Sequence, residues 1–296
     1  MAHIPVLQKE VLYYLNPRAN ENFIDATFGE GGHSTAILKQ NKPKGRILGF
    51  EWDPILYKEI KQRVKKQKRI IYINDSYTNL KGAIQKYNFS SVSGILFDLG
   101  LSSWHLENSG RGFSYLRDEQ LDMRFNPQVN PLTAQAIINF WPFQELEKIL
   151  REYGEEKFSK RISQKIIEAR KRMQIETTFQ FLEIIGKAIP GTNPSFKKPH
   201  FGARIFQALR IAVNDELENL QRVLLQSLQI LEPKGRLVLI SFHSLEDRIC
   251  KNFIRQKAKE GRLKILTKKP VRPSTEEIRT NPRSRSAKLR AAIKIV

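Results

Sequence analysis

A single cysteine, Cys250, among 296 residues excludes an intrachain disulfide framework, and a reducing, cytoplasmic location is expected. Histidines are also few, five in all; His3 and His200 show no metal-ligand spacing, so no metal is expected. Long apolar runs are missing. Stretches such as Leu237-Val238-Leu239-Ile240 are strand-sized, far below the roughly 20 residues of a membrane span, so no membrane partner is expected. The opening Met1-Ala2-His3-Ile4-Pro5 has no basic region followed by an apolar one, so no secretory signal is expected. No internal repeat or low-complexity tract is present. Acidic residues are the scarce charge: 30 Asp and Glu face 51 Lys and Arg, a net charge of +21. With 40% hydrophobic residues the chain can still bury a core, which excludes a disordered tail.

That imbalance favours a polyanionic partner, nucleic acid before an anionic membrane, with plain solubility as the alternative. Basic residues gather between Lys61 and Arg69 and again from Lys251 to Arg290, including Lys268, Lys269, Arg272, Arg283 and Arg285. Contacts of that kind to phosphate give affinity without sequence information.

The first hundred residues alternate strand-like and helix-like segments. Strands are expected at 23–27, 46–50, 70–73 and 94–97, with helices at 33–40, 53–66 and 78–87, a rhythm that argues for a parallel, doubly wound α/β sheet. From about residue 108 to 201 the rhythm stops. Helical apolar spacing at 143–153, 156–171 and 178–188, punctuated by prolines, predicts a helical insert. One or two helices over 203–231, a turn at Glu232-Pro233-Lys234-Gly235 and a buried strand at 236–242 resume the sheet. A helix then starts at Ser244, with Ser244 and Asp247 placed as a capping box. Residues 288–295 are expected to pair at the sheet edge.

Three features fall on one sheet edge in this reading. Thr27-Phe28-Gly29-Glu30-Gly31-Gly32-His33 joins a strand to a helix, and its glycines allow a sharp turn and close ligand approach. Glu51 ends the next strand, where an acid can accept ribose hydroxyls, and Asp98 ends the fourth. Alone, each is equally a tight turn or a helix cap; in this order they point to a nucleoside cofactor. The Gly29, Gly31, Gly32 spacing departs from G-x-G-x-x-G, which disfavours NAD. A cofactor without phosphates, such as S-adenosylmethionine, needs no amides aimed at a pyrophosphate. Ser241-Phe242-His243-Ser244 lacks the G-x-S-x-G setting of a hydrolase nucleophile and reads as a strand end and helix start, with His243 a candidate for the RNA side of the crevice. Trp104, Phe113 and Tyr115 are candidates to stack a splayed base, with core packing the alternative for each. Arg283 and Arg285 are candidates for phosphate, with a solvated loop the alternative.

The block Thr27 to Ser34 resembles the cofactor motif of the bacterial ribosomal RNA small-subunit methyltransferase H (MraW) family. So do Asp98-Leu99-Gly100-Leu101-Ser102-Ser103, Arg111-Gly112-Phe113-Ser114-Tyr115, Leu121-Asp122-Met123-Arg124, Phe206-Gln207-Ala208-Leu209-Arg210-Ile211, Ile240 to Arg248 and Asn281 to Ser286, in order over nearly the whole chain. The resemblance implies a class I S-adenosylmethionine-dependent methyltransferase with a Rossmann-like doubly wound sheet. It implies N4-methylation of a cytosine in 16S rRNA, at the decoding centre of the small ribosomal subunit. The cofactor domain is expected at 1–107 and 202–296 and a helical substrate-recognition insert at 108–201. By position, the resemblance makes Gly31, Gly32 and His33 cofactor contacts. Glu51 stands for the family's aspartate on the ribose, Tyr77 for an aromatic near the adenine, and Asp98 matches the family's acid. His105, another expected cofactor contact, stands where glutamine is common, Trp104 where proline is, and Asn126 where aspartate is. The catalytic acceptor is left unassigned and a homodimer is left open. Two rivals stand beside this reading: a non-enzymatic RNA-binding assembly factor and an NAD-dependent oxidoreductase.

Overall fold

The computed structural model describes residues 4–190 and 201–296. In chain order the first elements are α1 (Gln8–Leu15), β1 (Asn22–Asp25), α2 (Gly32–Gln40), β2 (Ile47–Glu51), α3 (Pro54–Val64), β3 (Ile70–Asn74), α4 (Leu80–Lys86) and β4 (Val92–Asp98). Then come α5 (Ser103–Glu107), α6 (Ala134–Phe140), α7 (Phe143–Glu152), α8 (Ser159–Arg170), α9 (Thr178–Ala188) and α10 (Gly202–Asn214). The chain finishes with α11 (Glu216–Ile230), β5 (Leu231–Ser241), α12 (Ser244–Lys259), β6 (Leu263–Ile265), α13 (Thr275–Thr280) and β7 (Lys288–Lys294). Two compact units result, one of residues 1–100 with 217–296 and one of residues 101–216.

The first unit is built on a sheet of order β3-β2-β1-β4-β5-β7-β6, parallel from β3 to β5. Alternate residues of the central strands go to opposite faces. Ile24, Leu48, Ile95, Phe97, Leu237 and Leu239 join a core with Leu80 of α4, Val223 and Leu224 of α11, and Cys250 and Ile254 of α12. Phe23, Ile47, Leu96, Val238 and Ile240 face the other way, onto Val11 and Leu15 of α1 and Ile37 and Leu38 of α2. With both faces covered, β2 is buried at all five positions, which is why it reads as a continuous apolar run. Asp53 starts α3 by accepting from the Ile55 and Leu56 amides at 2.8 and 3.2 Å, with Pro54 in the first turn.

The second unit buries one stripe from each of its long helices: Leu146, Ile149 and Leu150 from α7, Ile162 and Ile166 from α8, Phe181, Leu182 and Ile185 from α9, and Ile205, Phe206 and Leu209 from α10. Thr177 and Gln180 form a capping box on α9. The irregular stretch before α6 is held by side chains. Arg111 Nη1 donates to the carbonyls of Arg124 and Phe125 at 2.6 and 3.1 Å. Asn214 accepts from the Phe125 amide at 2.9 Å and donates to the Met123 carbonyl at 2.8 Å.

Three sequence expectations are corrected. The turn expected at 232–235 is an irregularity inside one strand, where β5 shifts register against β4 between Val92 and Gly94 and Lys234 takes a φ of 69°. The chain end is not the sheet edge: β7 runs antiparallel between β5 and β6, and the three-residue β6 is outermost. Ser244 and Asp247 form no capping box. His243 occupies the cap position without a side-chain bond, Glu246 accepts from the Phe242 amide at 2.9 Å, and Asp247 pairs with Arg290 at 2.6 and 3.1 Å. Burial opposes the Asp247 charge, and the Arg290 guanidinium, helped by Lys288, more than offsets it, so the carboxyl lies below its usual range. Of the one or two helices expected over 203–231, the structure has two, broken at Asp215, whose φ is 49°.

Candidate cofactor site at the strand ends

The C-terminal ends of β1, β2 and β4 form the rim where ligands of open parallel sheets bind. The β1–α2 turn has left-handed backbone at Gly29 (φ 52°) and Gly31 (φ 79°). Its glycines answer first to a buried ring. A Cβ on Gly31 would lie 2.7 Å from the Phe28 ring, and one on Gly49 in β2 would lie 2.2 Å from it. The same ring packs on Tyr72 of β3, centroids 4.5 Å apart. Phe28 therefore explains part of the glycine pattern without any ligand.

Glu51 ends β2 and is nearly buried. Its carboxylate accepts from the Asp53 amide at 2.9 Å, and the Gly29 and Trp52 amides also bond to it, so it ties the glycine turn to the second strand end. Burial pushes its carboxyl up to about 8, against the pull of those amides. Asp98 ends β4. Its amide donates to Thr27 Oγ1 at 2.7 Å, and its carboxylate stands 3.6 Å from His33 Nε2. Asp98 Oδ1 and both His33 ring nitrogens are buried without a hydrogen-bond partner. A buried acceptor left unsatisfied is costly unless something else completes it. Tyr77, half-buried after β3, lies edge-on to Phe97, centroids 5.9 Å apart.

His243 follows the end of β5, its Nε2 3.2 Å from Glu246 Oε1. Arg283 and Arg285 are exposed on the short turn Pro282–Ser286 before β7. Because β7 is antiparallel and pairs Lys288 with Ser241, that turn also lies at the C-terminal end of β5. Gly31, Gly32, His33, Glu51, Asp98, Tyr77, His243, Arg283 and Arg285 thus all follow strand ends, or precede β7, on the same rim of the first unit.

The remaining candidates belong to the second unit. Trp104 and Phe113 are buried there, Arg111 lying over both rings at 5.7 and 5.6 Å, and Phe113 stacks on Phe125 at 5.5 Å. That is core packing for both. His105 is buried beside them, its Nδ1 2.8 Å from Ser102 Oγ. His3 and His200 lie outside the described residues.

Several functional-looking residues were not singled out from the sequence. Asp25, buried at the end of β1, accepts from Ser34 Oγ at 2.6 Å and from the Thr27 amide at 3.3 Å, and burial raises its carboxyl. The available signal was an acid closing an apolar strand. Thr27 and Phe28 sat inside the motif, but nothing in sequence distinguishes a ring that needs glycines from a ligand that does. In the basic run, Arg69 serves the fold: it donates to Asn41 Oδ1 and to the carbonyls of Gly45 and Leu38 at 2.8–2.9 Å.

Comparison with known proteins gives a consistent result. The pattern of the MraW methylase family matches residues 1–295. The chain is 41% identical over 311 residues to the ribosomal RNA small subunit methyltransferase H of Halothermothrix orenii, covering 100% of this chain and 99% of that protein. Likewise named proteins of Clostridium botulinum strain 657 and Finegoldia magna are 42% and 40% identical over 308 and 310 residues, each covering 99% of both chains.

Proposed function

The chain belongs to the MraW methylase family, and from that premise we propose that it transfers a methyl group from S-adenosylmethionine to N4 of a cytosine in 16S rRNA of the small ribosomal subunit, in the cytoplasm. The observation that carries the cofactor part is the rim itself: two strand-end carboxylates, one of them with a buried acceptor oxygen lacking a partner, on either side of a glycine turn. That donor-hungry surface fits the hydroxyls and amine of a nucleoside-containing cofactor. When bound, S-adenosylmethionine supplies an electrophilic sulfonium methyl. Glu51 would accept the ribose hydroxyls and Asp98 Oδ1 an N–H of the cofactor, with His33 lining the same wall. A cytosine N4 lone pair is delocalised into its ring, so the protein's contribution is orientation: holding the amine in line with the methyl. No base is needed before transfer, because the proton can leave afterwards.

Arg283 and Arg285, exposed on the rim, are the proposed phosphate contacts, and the helical unit is the proposed substrate-recognition part. The glycine spacing argues against an NAD-dependent oxidoreductase, and the unsatisfied Asp98 oxygen against a purely RNA-binding protein. The test is methyl-labelled cofactor with small subunits from a strain lacking the gene. One methyl on a cytosine of 16S rRNA, located by mass spectrometry, supports the reading; cofactor binding without label in RNA refutes it. Asp98→Ala should weaken cofactor binding about tenfold or more, the loss of a charged hydrogen bond. Unchanged affinity and turnover would remove Asp98 from the site.

A further inference from the structure

The glycine turn is covered from outside by the start of the chain. A Cβ on Gly32 would lie 2.3 Å from Pro5 Cγ, so Pro5 occupies the space beside the first residue of α2. Gln8 Nε2 reaches the Gly32 carbonyl at 3.4 Å. Between them, Leu7 is fully buried in left-handed backbone, φ 53°, a conformation unfavourable for a branched side chain. What holds it there comes from 270 residues later: Glu277 Oε1 accepts the Leu7 amide at 2.7 Å, a charge-assisted bond. Asn281 Nδ2 donates to the Ile4 carbonyl at 3.0 Å. Asn281 in turn accepts, at its carbonyl, from the Ser284 amide and hydroxyl at 3.0 and 2.7 Å, and Ser284 sits between Arg283 and Arg285.

We propose that residues 4–8 and α13 form a clip that holds the glycine turn in its cofactor-binding shape, with Pro5 and Glu277 as positioning residues. The physical reason is pre-organisation. A turn with left-handed glycines loses much backbone freedom when ordered, and a turn ordered only by its ligand subtracts that cost from affinity. The clip orders it beforehand, packing Pro5 where no side chain can stand. The same polar links reach the Arg283–Arg285 turn, so the segment that shapes the cofactor turn is continuous with the one proposed to meet RNA phosphate. The inference rests on the cofactor reading of that turn.

The experiment compares the full-length protein with Glu277→Ala, Glu277→Gln and Pro5→Gly. Hydrogen exchange of the Gly31 to Thr35 amides without cofactor, cofactor affinity by calorimetry, and KM and kcat for methyl transfer are measured. Leu263→Ala, at a buried side chain of the edge strand β6, four strands away from β1, controls for general destabilisation. Glu277→Ala should speed exchange in the turn and raise cofactor KM about tenfold with kcat within about twofold, the loss expected of one charged hydrogen bond, and Pro5→Gly, which removes the packing beside Gly32, should move exchange and KM in the same direction. Glu277→Gln, which keeps an acceptor oxygen, should recover most of the affinity, and Leu263→Ala should leave cofactor affinity unchanged despite a lowered Tm. If Glu277→Ala and Pro5→Gly lower Tm while turn exchange and cofactor affinity match the parent, the clip is overturned and the cofactor site stands. A parent protein that does not bind S-adenosylmethionine overturns the functional reading and the clip with it.

Discussion

Glu51 offers a test that isolates one carboxyl. Its unfolded-state value of 4.5 rises to about 8 in the fold because burial penalises the charge more than the Asp53 and Gly29 amides favour it. A raised carboxyl contributes stability that is complete below 4.5 and is lost progressively as pH climbs to about 8. At about 1.4 kcal/mol per pH unit, that shift corresponds to at most about 5 kcal/mol lost by the fold across the window. Glu51→Gln removes the titration and keeps an acceptor for the Asp53 amide. Urea unfolding of both proteins, followed by circular dichroism at pH 5, 6, 7 and 8 without cofactor, lets every other titrating group cancel in the difference. The variant should gain on the parent by at least about 1 kcal/mol between pH 5 and 8. A difference that stays flat, or that favours the parent as pH rises, refutes the assignment. Cofactor binding adds a second arm. Ribose hydroxyls donating to Glu51 favour its charged form, so the parent's affinity should rise with pH toward about 8 while the Glu51→Gln affinity stays level.

The packing of Phe28 predicts that Gly49→Ala destabilises by about 1–3 kcal/mol, since its methyl would meet the ring at 2.2 Å; a thermal melt matching the parent would contradict that geometry. The two uses of arginine separate cleanly. Arg283→Glu with Arg285→Glu should weaken RNA binding and flatten its salt dependence by about one unit of slope per lost phosphate contact. Arg69→Ala, which strips three acceptors of their guanidinium, should lower stability by about 2 kcal/mol or more and leave the salt slope intact. Denaturation and fluorescence anisotropy at several salt concentrations read both.

What could be read from the sequence was what local pattern encodes. β2 announced itself as an apolar run closed by Glu51, and α3 by Asp53-Pro54, because strand burial and helix capping depend on neighbours along the chain. The order of glycine turn, Glu51 and Asp98 was legible for the same reason. Features decided by distant partners were not. Asp247 looked like a cap residue until Arg290, 43 residues away, claimed it. Pro233-Lys234-Gly235 carried turn chemistry, but pairing with β4 absorbs it into a strand. β6, at three residues, is too short to show a period. Trp104 and Phe113 have aromatic rings suited to bases, and only three-dimensional neighbours such as Arg111 and Phe125 show that they pack inward.

Cys250 lies in the layer between α12 and the sheet, and burial pushes its thiol up, well away from thiolate. Alkylating reagents therefore meet no nucleophile until α12 lifts from β5. The solitary thiol is a built-in clock for that opening: the rate at which it is captured times how often the helix leaves its bed, with no dye, tag or second cysteine to confuse the signal.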